Sequence, residues 1–206
     1  CSLVEAGATA AEALAEIPAE RIGAFLEAYA MGIEEAAERL AAAAHLETGL
    51  PVSPRLLGVE IPRTTNQLRQ AAGAARSGEW ARPTIDTSTN LRSAHEPLGG
   101  PVVVFGPSNF PFAFNGIAGG DFAAALAAGN PVIAKAHPAH PHTTQLLGEL
   151  ALTALREQGM PPASVQLFYG TDPELGLRLV AHPKVGAAAF TGSRPGGLAL
   201  KAAADR

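Results

Sequence analysis

The sequence predicts an α/β fold, a parallel sheet with crossover helices preceded by a helical N-terminal segment. Three observations point to it. From Pro18 onward apolar residues recur at helical spacing. After Pro101 short apolar runs alternate with helical stretches, as they do when parallel strands are joined by helices. A chain of 206 residues, 47% hydrophobic and 17% charged, is also long enough to bury a core.

In chain order, an Ala-rich helical pattern follows Cys1 and Ser2. Then Ile22, Phe25, Leu26, Tyr29, Ile33, Ala37 and Leu40 define one long amphipathic helix, with Glu34, Glu38 and Arg39 on its other faces. Pro18 suits the first turn, where a missing N–H costs nothing, and Gly49 with Pro51 marks the end. A second helix is expected over Thr64 to Arg76, ending near Gly78. Arg82 to Ser93, rich in Thr, Ser and Asn, reads as extended chain at a surface or subunit contact.

The strands are expected at Val102 to Phe105, Val132 to Ala134, Val165 to Phe168 and Val185 to Phe190. The helices between and after them are expected over Asn115 to Ala128, Thr143 to Glu157, Pro173 to Val180 and Ser193 to Ala204. Asp172 before Pro173 supplies an N-cap and a first-turn proline. The chain thus divides into a helical part (1–81), an extended, oligomerisation-type segment (82–98) and a Rossmann-like part (99–206).

Composition excludes several function classes. With a net charge of −4 and no Lys/Arg cluster, nucleic acid is not an expected partner. The longest apolar stretch, Phe122 to Ala134, is broken by Asn130 and Pro131 and falls short of the roughly 20 residues a membrane span needs. Cys1 is the single cysteine, so the chain holds no internal disulfide, which suits a reducing, cytoplasmic compartment. Cys1-Ser2 could be read as a lipidated N-terminus, but the helical pattern follows it without a tether.

A series of this kind places ligands beyond the carboxyl ends of its strands. There the sequence carries Gly106-Pro107-Ser108-Asn109-Phe110-Pro111, Lys135-Ala136-His137-Pro138 and Thr191-Gly192-Ser193. A cation, an amide side chain and a small-residue helix start on one edge are what a phosphate-bearing cofactor requires. Taken singly, each has a plainer explanation. Gly192-Ser193 could be an ordinary helix cap, Lys135 a solvated strand end, Asn109 a turn residue, and Gly176 or Gly196 an aid to close packing.

Together, Pro107-Ser108-Asn109-Phe110-Pro111, Ala127-Ala128-Gly129-Asn130, Lys135 and Phe190-Thr191-Gly192-Ser193 resemble the aldehyde dehydrogenase superfamily in order and spacing. Further stretches, Glu47-Thr48-Gly49-Leu50-Pro51, Arg63-Thr64-Thr65, Gln67-Leu68-Arg69, Gly119-Gly120-Asp121 and His137-Pro138-Ala139-His140-Pro141, resemble the branch that oxidises α-ketoglutarate semialdehyde. The resemblance implies thiolate attack on an aldehyde, hydride transfer to a nicotinamide, and hydrolysis of the thioester by water that a glutamate activates. By resemblance Asn109 stabilises the oxyanion. Phe105, Gly106, Pro107 and Ser108 run past the nicotinamide side, and Lys135 meets the adenosine ribose, with His137 beside it. Gly192 and Ser193 match the pyrophosphate site, Phe190 and Thr191 are further cofactor-binding residues, and Gly176 and Gly196 correspond to positions near the adenine and nicotinamide ribose. Phe110, Phe114 and Ile117 would line the aldehyde tunnel, and Arg63, Gln67 and Arg69 would hold a substrate carboxylate, for which a guanidinium fork is suited.

Two departures follow from the resemblance. Pro138 and Pro173 stand where NADP-using relatives place a threonine and an arginine, so NAD or dual use is expected over strict NADP preference. The family's glutamate base and cysteine nucleophile both follow the Phe-Thr-Gly-Ser motif, which places the catalytic domain beyond Arg206 and predicts that this chain alone is inactive. The expected partners are a small-molecule aldehyde, the remainder of the same enzyme and further copies in a homo-oligomer. The rival reading is a truncated, catalytically inactive nucleotide-binding or structural module. His137, His140 and His142 lack a completing cysteine or carboxylate, so no metal is expected. Ser108 lacks the second glycine of a nucleophile elbow.

Overall fold

The helical part begins with α1 (Ser2–Ala15), α2 (Ala19–Glu35) and α3 (Ala37–Thr48) in a computed structural model that describes residues 2–205. A wide, irregular helical turn (Val52–Glu60) leads into α4 (Ile61–Ser77). The apolar stripe of α2 is fully enclosed. Phe25, Leu26, Tyr29 and Ile33 have no exposed surface, and burial of each contributes about 1.5 to 3 kcal/mol. The Tyr29 ring meets Phe122 edge-on at 5.8 Å, and its hydroxyl donates to the Ile117 carbonyl at 3.1 Å, which ties α2 to chain 88 residues further on.

The single long helix expected from Pro18 is two helices. Ala36 adopts φ −93° and ψ 8°, its N–H reaches back to the Gly32 carbonyl, and the chain turns there. Beyond the turn both helices meet α6, introduced below, while α2 also packs on α4. Pro18 is the capping residue before α2 and lies outside its first turn. Gly49 ends α3 in the left-handed region at φ 71°, which glycine enters without a Cβ clash. The second helix starts three residues earlier than expected, at Ile61, and Gly78 follows its end.

Residues 82–98 contain a small antiparallel hairpin, β1 (Thr84–Asp86) and β2 (Leu91–Ser93), with Ile85 opposite Arg92. The Asp86 carboxylate accepts from the N–H groups of Ser88 and Thr89 and so shapes the turn. The segment re-enters the body where the Leu98 N–H donates to the Asn130 side chain at 2.7 Å.

The main sheet comprises β3 (Val102–Phe105), β4 (Val132–Lys135), β5 (Val165–Phe168) and β6 (Ala187–Phe190). All are parallel, in the order β5-β4-β3-β6. Its helices are α5 (Gly120–Ala127), α6 (Pro141–Glu157), α7 (Pro173–Val180) and α8 (Arg194–Ala204). β3 and β4 are buried on both faces, which is why their sequences read as unbroken apolar runs.

Two expected elements are shorter. The helix expected from Asn115 begins at Gly120, because the buried Asn115 side chain binds backbone locally, donating to the Pro111 carbonyl and accepting the Ile117 N–H. β6 begins at Ala187 and not at Val185, whose N–H is turned back to the His182 carbonyl.

The N-terminus of α6 is closed from a distance. The Glu47 carboxylate accepts from the N–H groups of His142 and Thr143, both at 2.8 Å, and from the Thr143 hydroxyl. Glu47→Ala removes this cap and should lower the stability of the fold by about 1 to 2 kcal/mol, read from urea unfolding. An unchanged midpoint would show that water replaces the cap without loss.

Candidate cofactor and active site

The parallel register aligns the carboxyl ends of the strands. Phe105 is level with Lys135 on one side and with Phe190 on the other, and Lys135 is level with Phe168. The chain leaves β3 toward β4 and later returns to the opposite side of β3 to form β6. The switch in direction therefore lies between β3 and β6, where a crevice opens in sheets of this kind. A cleft of about 1090 Å³ lies there.

On the β3 side, Gly106 is required by close packing, since any Cβ would run into the Phe114 carbonyl oxygen. Pro107, Ser108 and Asn109 follow along the cleft, and the exposed Asn109 carboxamide makes no hydrogen bond among the described residues. Phe110 and Phe114 meet edge-on at 5.0 Å and continue the wall. Arg63 reaches the same end from α4, its guanidinium lying 4.8 Å from the Phe114 ring centre.

Lys135 ends β4 as a half-buried cation. Its ammonium donates to the Ala136 carbonyl at 3.2 Å and forms no ion pair among the described residues, and partial burial pulls its pKa down. His137 stacks on His140 at 5.3 Å. The His137 Nδ1 accepts the Ala139 N–H, which leaves that nitrogen unprotonated. The pKa of His137 is lowered first by burial, then by His140 and Lys135. His140 is buried, and since the Pro107 carbonyl can only accept, the His140 Nε2 donates to it at 3.0 Å.

On the β6 side, Ser193 caps α8, its hydroxyl accepting the Gly196 N–H at 3.3 Å. No acidic residue occupies the first turn of α8, so within the helix itself nothing offsets the positive end of the dipole, which faces the cleft. Gly192, Gly196 and Gly197 also have a packing role, because the Phe190 ring lies against all three and a Cβ on any of them would press into it. Gly176 gives similar room to Phe105.

The cleft thus brings together Asn109 with Phe105, Gly106, Pro107, Ser108, Lys135, His137, Gly176, Phe190, Thr191, Gly192, Ser193 and Gly196, and also Phe110, Phe114 and Arg63. Three residues expected to contact the substrate, Ile117, Gln67 and Arg69, do not line this cleft. Ile117 is buried in the core. Gln67 packs against Gly120 one turn along α4 from Arg63. Arg69, on the far side of α4, forms a two-pronged ion pair with Glu34 of α2. Among the described residues no three His, Cys, Asp or Glu side chains converge as a metal site, and no helix is long and apolar enough to cross a membrane.

The cleft also includes Thr171, Asp172 and Leu177, together with Ala199 and Leu200 of α8. Those between 171 and 177 follow the end of β5 and could have been found by applying the strand-end rule there as well as at the other three strands.

The aldehyde dehydrogenase family profile matches residues 2–206. Alpha-ketoglutaric semialdehyde dehydrogenase 2 of Azospirillum brasilense is 48% identical over 186 residues, covering 86% of this chain and 35% of the relative. Among solved structures, an NAD-dependent aldehyde dehydrogenase from Sinorhizobium meliloti matches with TM-score 0.82 and 27% identity, over 99% of this chain and 39% of that one. The glyceraldehyde-3-phosphate dehydrogenase GapN of Methanocaldococcus jannaschii, solved with NADP, shares the fold at TM-score 0.81 and 22% identity, over 98% of this chain and 43% of that one. The chain belongs to the aldehyde dehydrogenase family, and it spans about a third of the length of the Azospirillum relative.

The neutral imidazole of His137 gives a measurable consequence. Its folded-state pKa is depressed, so the unfolded chain takes up the proton first, and stability that is complete above about pH 6.5 declines as pH falls toward the folded value. An NMR titration should place the His137 midpoint below 6.5, and a midpoint at or above that value would show that the ring is solvated.

Proposed function

We propose that this chain is the cofactor-holding part of an enzyme that oxidises an aldehyde to a carboxylic acid through a cysteine thioester, with the nucleophile outside residues 1–206. The observation that carries the reading is the position of the exposed Asn109 carboxamide, in the same cleft as the Lys135 ammonium, which has no ion-pair partner among the described residues, and the start of α8.

A nicotinamide dinucleotide suits this cleft. Its pyrophosphate would meet the dipole and backbone N–H groups at Gly192 and Ser193. Lys135 would donate to a ribose hydroxyl, a bond strengthened by the partial desolvation of its ammonium. When bound, the nicotinamide supplies the hydride acceptor of the oxidation. The amide N–H of Asn109 would face the oxygen on which charge develops as the thiolate adds to the aldehyde carbon, and a donor placed there stabilises that charge. Pro138 and Pro173 line the cleft and offer no donor to a 2′-phosphate, which favours NAD or dual use.

The Azospirillum relative supports a semialdehyde substrate with a carboxylate at its far end. Arg63 is the cleft residue that would receive that carboxylate. The remainder of the enzyme, and further copies contacting the exposed hairpin at Ile85 and Leu91, are the proposed partners.

In a full-length protein carrying this chain, Asn109→Ala should lower kcat by about 10² to 10³ while the NAD dissociation constant holds. An unchanged kcat removes Asn109 from the mechanism. The same titration with NADP should give binding no tighter than NAD, and much tighter NADP binding would overturn the cofactor preference. Arg63→Ala should raise KM about tenfold for a carboxylated aldehyde and little for a neutral one, as expected for a lost charged hydrogen bond. Equal effects on both would take Arg63 out of substrate recognition.

A further inference from the structure

Asn109 sits on chain that forms neither helix nor strand, residues 106–113, so the direction of its carboxamide depends on what holds that backbone. The holding groups come from the irregular turn before α4. The Glu60 carboxylate is fully buried, and its Oε1 accepts the N–H groups of Phe112 at 2.8 Å and Ala113 at 3.2 Å. Its Oε2 accepts no hydrogen bond among the described residues and lies 2.7 Å from the Arg55 Nη1, an ion pair without hydrogen-bond geometry. The Arg55 Nη2 in turn donates to the main-chain carbonyl of Asn109 itself at 3.0 Å, and the guanidinium lies 4.5 Å from the Phe110 ring centre. One planar group therefore joins a buried carboxylate, the backbone of Asn109 and the ring that follows it.

Burying Glu60 is unfavourable in itself. Desolvation raises its pKa, against the opposing pulls of the Phe112 N–H, of Arg55 and of the Ala113 N–H. An apolar side chain of similar size would avoid that desolvation but leave the Phe112 and Ala113 N–H groups without an acceptor, so packing alone does not explain a charged pair here. What the pair adds is direction, because a guanidinium fork and a carboxylate that accepts two N–H groups fix where each backbone unit points.

We propose that Arg55 and Glu60 are positioning residues for Asn109, orienting the 109–113 backbone so that the carboxamide is presented to the reacting oxygen. The proposal rests on the reading that Asn109 stabilises an oxyanion, and the experiment separates the two. In a full-length protein carrying this chain, kcat is measured for Arg55→Ala, Asn109→Ala and the double variant. The Arg55→Ala change should lower kcat by about 10- to 100-fold, as expected for a displacement near 1 Å at the reacting centre, with the NAD dissociation constant unchanged. If Arg55 acts through Asn109, the double variant should be no slower than Asn109→Ala alone. Losses that multiply would overturn the proposal while leaving the oxyanion role of Asn109 intact. An Asn109→Ala enzyme with normal kcat would overturn both.

Arg55→Lys serves as the second variant and replaces Arg55→Ala in the cycle if that protein does not fold. Lysine can keep Glu60 paired but cannot also reach the Asn109 carbonyl, so it should restore the melting temperature without restoring kcat. Recovery of both together would show that the ion pair acts only on stability and would overturn the positioning role.

Discussion

Register in the parallel sheet is the constraint from which the cleft follows. Because β3 pairs in step with β4 on one side and β6 on the other, Phe105, Lys135 and Phe190 end at one level, and the loops beyond them leave the sheet together. Parallel pairing allows no tight turns between neighbours, so each loop must run into a helix before the chain can return. The β6 loop runs directly into α8 and the β4 loop leads to α6 through His137 and Pro138. The cation, the amide and the helix start share a cleft for this reason.

The helical part of the chain places acids where the sheet's loops need acceptors. Glu47 at the end of α3 closes α6, and Glu60 at the start of α4 holds the backbone beyond Asn109. His140 completes the set from the sheet side by donating to Pro107. Each satisfies backbone groups that no regular element could pair, which keeps irregular chain in one conformation beside the cleft. A stretch that looks like loop in isolation is thereby as well determined as a strand.

The strands were legible in the sequence because both faces of β3 and β4 are buried and leave an apolar run with sharp ends. Helix limits were less so. Asn115 stops the backward extension of α5 through its own side-chain bonds, and a propensity reading sees only a tolerated polar residue. Ala36 breaks α2 from α3 without glycine or proline, so no local signal marks it. Residues directly following the strands share the cleft, since their place depends on topology. Gln67 and Arg69 do not reach the cleft because a helix advances about 1.5 Å per residue and turns as it goes. Arg63 stays at the cleft, Gln67 is carried away from it, and Arg69 rotates to Glu34. Arg55 was missed because nothing in the sequence of an irregular turn tells which way its side chains face.

The contacts that unite the two parts of the chain join residues far apart in order: Tyr29 with Ile117, Glu60 with Phe112, and Glu47 with Thr143. A growing chain leaves the ribosome from its N-terminus, at about 5 to 20 residues per second. The helices with Glu47 and Glu60 therefore emerge seconds before the backbone donors that those carboxylates will bind. Until then both acids remain hydrated, and the side of α2 that meets α5 and α6 has no partner. Full assembly of the early helices with the rest of the fold therefore waits for the later strands and helices to emerge.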